Sequence, residues 1–521
     1  MHPILLLATW IWAALPLPAQ TPQAAPRGPR PPNIVFFLVD DLGWRDVACY
    51  GSHFYETPHI DQLSREGVRF TQAYAACHVC SPTRASILTG KYPARLHLTD
   101  WLSGRRDFPF QKLENAEHRQ HLPFEESTLA EALAAQGYAT AIFGKWHLGE
   151  EPSGPSQHGF DLHIPRWNKG WPRAGYRAPF RLEGLQGAKG DYLTDRLTDE
   201  ALVYIEENKE RPFFLYLSHF AVHDPIQGRA DLVEKYRKKL ARLQPPKGPA
   251  FALEGNPDDT EPLSRQALQN LITKPSHQGF SVLPRRTVKI KQHQDNAQFA
   301  AMVEAMDESL GRVMATLKKL ELEEHTIVIF FSDNGGMSAA NFGNPKRVVD
   351  DSRLDAAYST SNLPLRGAKG WLYEGGIRVP MIVKWPQQGN RGSVCTEPVI
   401  STDFYPSILE MAGLPSLLEQ HVDGISFAPA LKGEPFERKA IYWHFPHYSN
   451  HGMQSPGGAI RLGDFKLLEY FENNTAQLFN LQTDPGEQHD LAKARPKKTR
   501  ELLAMLHAWR QEVSAMAMPR K

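Results

Sequence analysis

The run Ile34-Val35-Phe36-Phe37-Leu38-Val39-Asp40-Asp41 places six consecutive apolar residues directly before two carboxylates. A short apolar run of this kind predicts a strand that is buried on both faces, as in a parallel sheet. Three other runs have the same form: residues 138–143 before Gly144-Lys145-Trp146-His147, residues 213–217 before His219 and His223, and residues 326–331 before Ser332-Asp333-Asn334. Amphipathic segments separate these runs. The sequence therefore predicts an α/β fold with a large, mostly parallel sheet flanked by helices.

The polar residues at the four strand ends point to a common site. Ligands of open α/β sheets bind at the carboxyl ends of the strands, so we expect these side chains to face one cleft. A pair such as Asp40-Asp41 or Asp333-Asn334 after a single strand usually only caps a loop. Four polar strand ends in one chain favour a shared site over four separate caps.

A second informative stretch is Cys80-Ser81-Pro82-Thr83-Arg84, which continues as Ala85-Ser86-Ile87-Leu88-Thr89-Gly90. It predicts a helix with Ser81 as the N-cap and Pro82 at the first helical position. Cys80 would then lie just ahead of a helix N-terminus, where backbone N–H groups and the helix dipole favour an anion. Arg84 adds a permanent cation that can bind an oxyanion through its fork of donors. A lone cysteine in such a place is ordinarily a core residue, so its neighbours decide its role.

The chain has 521 residues, enough for one large and one small domain. Residues 1–20 contain an apolar run that is too short to cross a bilayer and is typical of a signal peptide, so we expect export to the periplasm or the exterior and no membrane span in the mature chain. Residues 21–32 are predicted to be a Pro-rich linker, residues 33–432 the main domain, and residues 433–521 a small C-terminal α+β subdomain with an antiparallel sheet and one helix. Residues 228–291 are expected to be a partly helical insertion, either a rim over the site or a plain surface excursion.

The composition excludes some classes of function. The 59 basic and 58 acidic residues leave no bulk charge that would attract nucleic acid or a membrane surface. Four cysteines are too few for a disulfide framework, and pairing of Cys49 with Cys77 is left open. The spacing of Cys77 and Cys80 also fits a redox or zinc pair, but no second pair accompanies it. In the helix predicted over residues 297–320, Asp307 and Glu308 are expected on the solvated face.

Two groups of side chains are expected to meet at the cleft. Oxygen ligands alone are offered by Asp40, Asp41, Asp333 and Asn334, a set that suits Ca²⁺ better than Zn²⁺ and leaves Mg²⁺ open. Basic groups are offered by Arg84, Lys145, His147, His223 and Lys369. A divalent cation and several basic groups in one cleft suit a small, multiply charged tetrahedral anion.

The run Cys80-Ser81-Pro82-Thr83-Arg84 resembles the Cys-x-Pro-x-Arg signature of the type I sulfatases, within the alkaline phosphatase superfamily. Residues 144–149, 365–370 and 373–380 resemble further motifs of that family, in the same order, and the resemblance extends over residues 33–491. It implies an alkaline phosphatase-like fold in which the main domain is the catalytic domain. The activity that it implies is hydrolysis of sulfate esters.

The resemblance also implies a role for each site residue. Cys80 would be oxidised by a formylglycine-generating or anaerobic maturation enzyme, and the hydrated aldehyde would attack sulfur and form a sulfo-enzyme intermediate. The ligands of Ca²⁺ would be Asp40, Asp41, Asp333, Asn334 and the modified Cys80. His147 would be the base that releases sulfate, and His223 would be the acid at the leaving oxygen. Lys145 and Lys369 would bind the sulfate oxygens. Arg84 would orient the nucleophile.

For the substrate, residues 94–101 resemble a subgroup of bacterial carbohydrate sulfatases, some of which remove 4-O-sulfate from galactose or N-acetylgalactosamine ends. We therefore expect the substrate to be a sulfated oligosaccharide or an aryl sulfate. For the oligosaccharide we expect exo-action, with a preference for 4-O-sulfated galactose or N-acetylgalactosamine. Side chains that could contact the sugar are Trp101, Arg105, Arg106, Arg166, Trp167 and His444. Two alternatives stay open: a phosphodiesterase or phosphonate monoester hydrolase with the same nucleophile, and a binder of sulfated glycans in which Cys80 is not matured.

Overall fold

The computed structural model describes residues 30–107, 111–278, 283–342 and 354–521. The predicted signal peptide and most of the predicted linker lie outside the described residues. The strands are β1 (Asn33–Val39), β2 (Val68–Tyr74), β3 (Ala139–Gly144), β4 (Leu162–Ile164), β5 (Phe213–Ser218), β6 (Phe251–Glu254), β7 (Val288–Lys291), β8 (Thr326–Ser332), β9 (Arg378–Lys384), β10 (Val394–Cys395), β11 (Val399–Ile400), β12 (Ile441–Phe445), β13 (Gly457–Leu462), β14 (Phe465–Tyr470) and β15 (Thr475–Asn480).

The helices are α1 (Pro58–Glu66), α2 (Cys80–Thr89), α3 (Pro93–Leu96), α4 (Leu129–Ala134), α5 (Leu193–Glu207), α6 (Ala230–Arg242), α7 (Arg265–Leu271), α8 (Ala297–Lys319), α9 (Leu354–Ala357), α10 (Glu374–Ile377), α11 (Phe404–Met411), α12 (Ala428–Lys432) and α13 (Pro496–Glu512). Within the described ranges, none of them is long and apolar enough to cross a membrane.

The central sheet has the strand order β10-β2-β9-β8-β1-β5-β3-β4, and β11 also pairs with β2. Strand β1 pairs in parallel with β5 and β8, whereas β9 is antiparallel to both of its neighbours. Alternate side chains of β1 enter the two cores: Val35 and Phe37 pack with α5, α6 and α8, and Ile34 and Phe36 pack with α2 and α11. Helices on both faces explain why the strand is apolar throughout. The prediction of a large, mostly parallel sheet flanked by helices is confirmed.

One acidic residue of helix α8, Asp307, is buried although the sequence predicted it to be exposed. Asp307 is fully buried, and its Oδ1 accepts hydrogen bonds from the backbone N–H groups of Ile60 (2.8 Å) and His59 (3.1 Å) at the start of α1. The prediction of a solvated Asp307 was wrong because α8 packs against α1 as well as α5 and α6, which leaves it few open faces. Burial raises the pKa of Asp307 to about 7. Glu308 is partly exposed and pairs with Arg229 at 2.6 Å.

The described part of residues 228–291 contains α6, α7 and the antiparallel pair of strands β6 and β7. After them in the chain, the C-terminal subdomain is a four-stranded antiparallel sheet in the order β12-β13-β14-β15, with α13 packed on β13 and β14. This small sheet and closing helix are as predicted from the sequence. A shared core that includes Tyr74, Leu372 and Trp443 joins the subdomain to the main domain.

Candidate active site

Parallel pairing brings the polar strand ends to one edge of the sheet. The register sets Val39 of β1 beside Ser332 of β8, and Gly144 of β3 beside Ser218 of β5. Backbone hydrogen bonds continue past the ends of the strands, from Asp333 N to Val39 O at 3.1 Å and from Lys145 N to Ser218 O at 2.7 Å. The loops that carry the side chains of interest are therefore held by the same ladder that builds the sheet.

Helix α2 begins at Cys80, two residues earlier than the sequence predicted. Its N-cap is Val79, which makes no side-chain cap, and Cys80 is the first helical residue. The expectation that Ser81 caps the helix was wrong, because the Ser81 hydroxyl accepts a hydrogen bond from the backbone N–H of Leu102 (3.1 Å). Every residue of α2 is buried, so the cysteine sulfur is held rigidly within the first turn. The thiol remains at the positive end of a helix dipole, as expected.

His147 faces the sulfur of Cys80, with its Nδ1 at 3.3 Å from Sγ. The other ring nitrogen, Nε2, is 2.7 Å from the carbonyl oxygen of Leu102 and donates to it. Burial, with the nearby charge of Lys145, holds the pKa of His147 well below its ordinary value. The ring is therefore neutral at pH 7, and because Nε2 carries the proton, the lone pair of Nδ1 is turned toward Cys80. His147 is also one of the few non-glycine residues with a left-handed backbone, at φ +58°.

The carboxylates gather around the same sulfur. One oxygen each from Asp40 and Asp333 lies within 4.8 Å of the other and of Cys80 Sγ, and Asp40, Asp41 and His223 form a second such group. Burial, with the charge of Asp333, raises the pKa of Asp40 to about 8. The Oδ1 atoms of Asp40 and Asn334 are buried and accept no hydrogen bond from the residues that the structure describes. Unpartnered oxygens beside clustered carboxylates fit a hard divalent cation.

The three long basic side chains each pair with one of these carboxylates. Lys145 Nζ is 2.6 Å from Asp40 Oδ2, and Lys369 Nζ is 2.7 Å from Asp41 Oδ1. Burial alone would raise the pKa of Asp41, but the opposing charge of Lys369, joined by that of His223, holds it below its ordinary value.

The sequence suggested that Arg84 could bind an oxyanion through its fork of donors, but in the structure these donors bind groups of the protein. Its Nε donates to Asp333 Oδ2 at 2.8 Å, and its Nη1 donates to the carbonyl of Lys145 and the hydroxyl of Ser218 at 3.0 and 2.6 Å. The side chain is 1% exposed and is turned toward the protein. Arg84 therefore orders the carboxylate and the loops around Cys80.

His223 lies across the cleft, held at one ring nitrogen. Its Nδ1 is 2.7 Å from both the carbonyl and the carboxylate of Asp224, while Nε2 lies 3.8 Å from Asp41 Oδ2. Burial and Lys369 lower the pKa of this imidazole, but the carboxylates of Asp41, Asp224 and Asp40 outweigh them and raise it to about 9. The ring is therefore charged at neutral pH and can give up its Nε2 proton.

These groups open into a pocket of about 430 Å³. Cys80, His147, His223 and Lys369 lie on its lining. The remaining lining residues are Val79, Trp101, Gly170, Trp171, Asp224, Pro225, Asn341, Asn450 and His451. Two indole rings and several neutral polar groups thus border the space next to the sulfur.

Comparison with known proteins decides the family. A family model described as "Sulfatase" matches residues 32–414, and a model described as "N-sulphoglucosamine sulphohydrolase, C-terminal" matches residues 368–515. The chain belongs to the sulfatase family. It is a sulfuric ester hydrolase, as its resemblance to the type I sulfatases implied.

Individual relatives of this sulfatase are distant but extend over most of its length. A protein named "Sulfatase" from Formosa agariphila is 30% identical, with 92% of this chain and 88% of the relative covered. Mouse N-acetylgalactosamine-6-sulfatase is 29% identical over 88% of this chain and 76% of its own. Among solved structures, Ps i-CgsB in complex with k-i-k-neocarrahexaose has a TM-score of 0.68 and 26% identity, covering 92% of this chain and 93% of that one.

Of the sugar contacts expected from the sequence, only Trp101 is among the described residues that line the pocket of this sulfatase. His444 is buried in the C-terminal subdomain, where its Nε2 is 2.8 Å from the carbonyl of Met516. Arg166 is exposed and pairs with Glu183, and the indole N–H of Trp167 donates to the carbonyl of Trp171. Arg105 is half-buried against Met453 and the ring of Tyr448, and Arg106 is exposed.

Sequence reasoning missed Trp171, Asp224, Asn450 and His451. Asp224 directly follows His223, a neighbour relation that could have identified it. The other three come from irregular loops, and Asn450 and His451 lie some 370 residues after Cys80 in the chain. No spacing or periodicity connects such loops to the strand ends. Asn450 and His451 reach the pocket only because the C-terminal subdomain packs against the main domain.

Proposed function

We propose that the protein removes sulfate from sulfated carbohydrates. The observation that carries the proposal is the placement of Cys80 at the head of α2, beside His147, Asp40 and Asp333, at the base of a pocket with two indole walls. The finer proposal is exo-action on a galactose or N-acetylgalactosamine end that bears a 4-O-sulfate, in line with the resemblance of residues 94–101. We further propose that the chain is exported and that a maturation enzyme acts on it.

The cation of the site is proposed to be Ca²⁺, held by the oxygens of Asp40, Asp41, Asp333 and Asn334. The donor set fits, since it contains only oxygens and is rich in negative charge. Two of its buried oxygens also have no hydrogen-bond donor among the described residues. Bound there, Ca²⁺ would polarise a sulfate oxygen and favour ionisation of the nucleophile.

The nucleophile is proposed to derive from Cys80. Converted to formylglycine and hydrated, this residue supplies one hydroxyl that attacks sulfur and a second whose ionisation expels sulfate again from the sulfo-enzyme. His147 is suited to take the proton of the second hydroxyl, because its unprotonated Nδ1 already lies 3.3 Å from the side chain of residue 80. The carbonyl of Leu102 fixes the tautomer that this step needs.

Sulfate binding and leaving-group protonation fall to the remaining basic groups. Lys145 and Lys369 are assigned to the sulfate oxygens, since each ammonium group already lies among the carboxylates that border Cys80. His223 is assigned as the acid for the departing sugar oxygen. Its Nδ1 is anchored by Asp224, so Nε2 is the nitrogen that faces the pocket and can donate.

The walls of the pocket favour a sugar as the leaving group. Trp101 and Trp171 offer faces on which a pyranose ring can stack. Asn450 is mostly buried and lines the pocket. Its Oδ1 accepts no hydrogen bond from the described part of the chain, so a sugar hydroxyl would satisfy it. The relatives named for N-acetylgalactosamine 6-sulfate and solved with a neocarrahexaose agree with a carbohydrate substrate.

The experiment is a substrate panel for protein co-expressed with a formylglycine-generating enzyme. The panel contains an aryl sulfate, galactose and N-acetylgalactosamine with 4-O- or 6-O-sulfate, a phosphodiester and a phosphonate monoester, and Cys80→Ala is the control. We expect turnover of sulfate esters, highest for a 4-O-sulfated terminal sugar. Equal rates on 4-O- and 6-O-sulfates would remove the positional claim. Preference for the phosphorus esters would favour the alternative hydrolase, and binding without turnover would favour a glycan binder.

A further inference from the structure

The segment at residues 366–376, here called the Lys369 loop, connects both halves of the active site. The backbone N–H of Lys369 donates to the carbonyl of Gly336 (3.0 Å), and that of Gly370 donates to the carbonyl of His78 (2.9 Å). At the end of the loop, the carbonyl of Gly376 accepts from Gly335 N at 2.9 Å. The loop therefore touches the residues after Asn334 and those before Cys80, and any shift of it moves the ammonium group of Lys369.

The insertion at residues 228–291 contacts the start of this loop. Glu254 on β6 receives two hydrogen bonds from Arg366, at 2.6 Å from Nη2 and 3.1 Å from Nε. The side chains are 13% and 16% exposed, so water screens the pair little. The guanidinium also lies over the ring of Tyr373, 4.0 Å from its centre, within the same loop. Because the fork is bidentate, it fixes the orientation of Arg366 as well as its position.

The C-terminal subdomain contacts the loop at both ends. The carbonyl of Glu487 accepts from Nη1 of Arg366 at 2.9 Å, and its carboxylate accepts from the backbone N–H of Glu374 at 2.7 Å. Lys466 on β14 is fully buried between two carboxylates, 3.0 Å from Glu374 and 2.9 Å from Glu487. Three buried charges thus join the end of the loop to the C-terminal subdomain.

We propose that Glu254 and Arg366 are positioning residues for Lys369. The insertion would then stabilise the active site through its contact with the Lys369 loop. This inference rests on the proposed function, in which Lys369 binds the sulfate group. Glu254 does not line the pocket and acts only through the loop. Its carboxylate fixes the guanidinium of Arg366, and Arg366 lies three residues before Lys369 in the same loop. The Gly375 N–H, which donates to the carbonyl of Arg366 at 2.7 Å, ties the two ends of the loop together.

The test is a double-mutant cycle on matured protein, with kcat/KM for an aryl sulfate as the readout. The variants are Glu254→Gln, Lys369→Ala and their combination. The control is Asp259→Asn, which breaks another ion pair of the insertion, that with Arg285 at 2.7 Å. We expect Glu254→Gln to lower kcat/KM by about tenfold in the wild-type background, as a small misplacement of a binding group does. In the Lys369→Ala background the same change should cost less than about twofold.

A second readout does not need the double variant. The inhibition constant of inorganic sulfate should rise about tenfold in Glu254→Gln, stay unchanged in Asp259→Asn, and return toward the wild-type value in Glu254→Asp, which keeps the charge. Equal losses with and without Lys369, or a sulfate constant unmoved by Glu254→Gln, would overturn the proposal. Failure of the proposed function would look different, because the matured wild-type protein would then turn over no sulfate ester.

Discussion

Replacing His223 with glutamine tests the proposed acid at the leaving group. His223 is anchored at Nδ1 by Asp224 at 2.7 Å, which leaves Nε2 as the nitrogen that can protonate the departing oxygen. Glutamine keeps a polar side chain of similar reach but has no acidic proton. The variant should therefore lose rate in proportion to how much the leaving oxygen needs a proton.

The size of the loss follows from the substrate. A sugar alkoxide is a poor leaving group, and a positioned acid typically contributes 10²–10⁴-fold, so kcat/KM on a sugar sulfate should fall by about a hundredfold or more, equivalent to about 3 kcal/mol. A nitrophenolate leaves without assistance, so the loss on 4-nitrophenyl sulfate should stay below about tenfold. The pKa of His223 is raised to about 9, so the acid form exists below that pH and is lost above it. The advantage of the wild-type protein on sugar sulfates should shrink correspondingly above pH 9.

The assay measures kcat/KM for both substrates across pH, with His489→Gln as the matched control. His489 is an exposed imidazole 3.5 Å from a carboxylate of Asp484, in the C-terminal subdomain, so its loss should change neither rate. Equal losses for the sugar and the aryl substrate in His223→Gln would refute the reasoning, because they would show that His223 supports the site without donating a proton.

Three further outcomes are expected. Burial raises the pKa of Asp307 to about 7, so its protonated carboxyl stabilises the fold below about pH 4, and this contribution is lost as the pH rises to 7. The free energy of unfolding of Asp307→Asn should therefore increase relative to that of the wild type between pH 4 and pH 7. A difference in urea unfolding that does not change with pH would contradict this. Lys466→Met should cost about 3–5 kcal/mol, since Glu374 and Glu487 are left buried without their cation, and a change below about 1 kcal/mol would be inconsistent with that pairing. A chelator should abolish turnover and lower the melting temperature, Ca²⁺ should restore both, and Asp333→Ala should remove the response to Ca²⁺.

Local sequence signals predicted the sheet because its central strands are covered on both faces. The apolar runs that end at Val39 and Phe331 are typical of strands buried on both faces, and in the structure these strands pair in parallel as β1 and β8. The same signals identified Asp40, Asp333 and His147, since residues at strand ends have their position fixed by the sheet. The start of α2 was misplaced because Pro82 and Ser81 fit the usual capping pattern, whereas Ser81 bonds to Leu102 from a distant loop.

Contacts that depend on docking between distant segments could not be predicted. Asp307 lies on a helix whose pattern gives no sign that the first turn of α1 packs against it. Asn450 and Trp171 enter the pocket from loops without periodicity, and Glu254 meets Arg366 across 112 residues of chain. In each case no local pattern of the sequence identifies the neighbour, so only the tertiary packing determines the contact.

The most direct test of the account joins the chemical state of residue 80 to turnover in one sample. Protein is prepared with graded levels of a formylglycine-generating enzyme, the peptide that contains Cys80 is weighed, and the aryl sulfatase rate is measured on the same preparations. The aldehyde is lighter than the thiol by about 18 Da, and the rate should rise linearly from zero with the converted fraction. Full activity in protein that retains the thiol, or complete conversion without hydrolysis of any sulfate ester, would contradict the central claim.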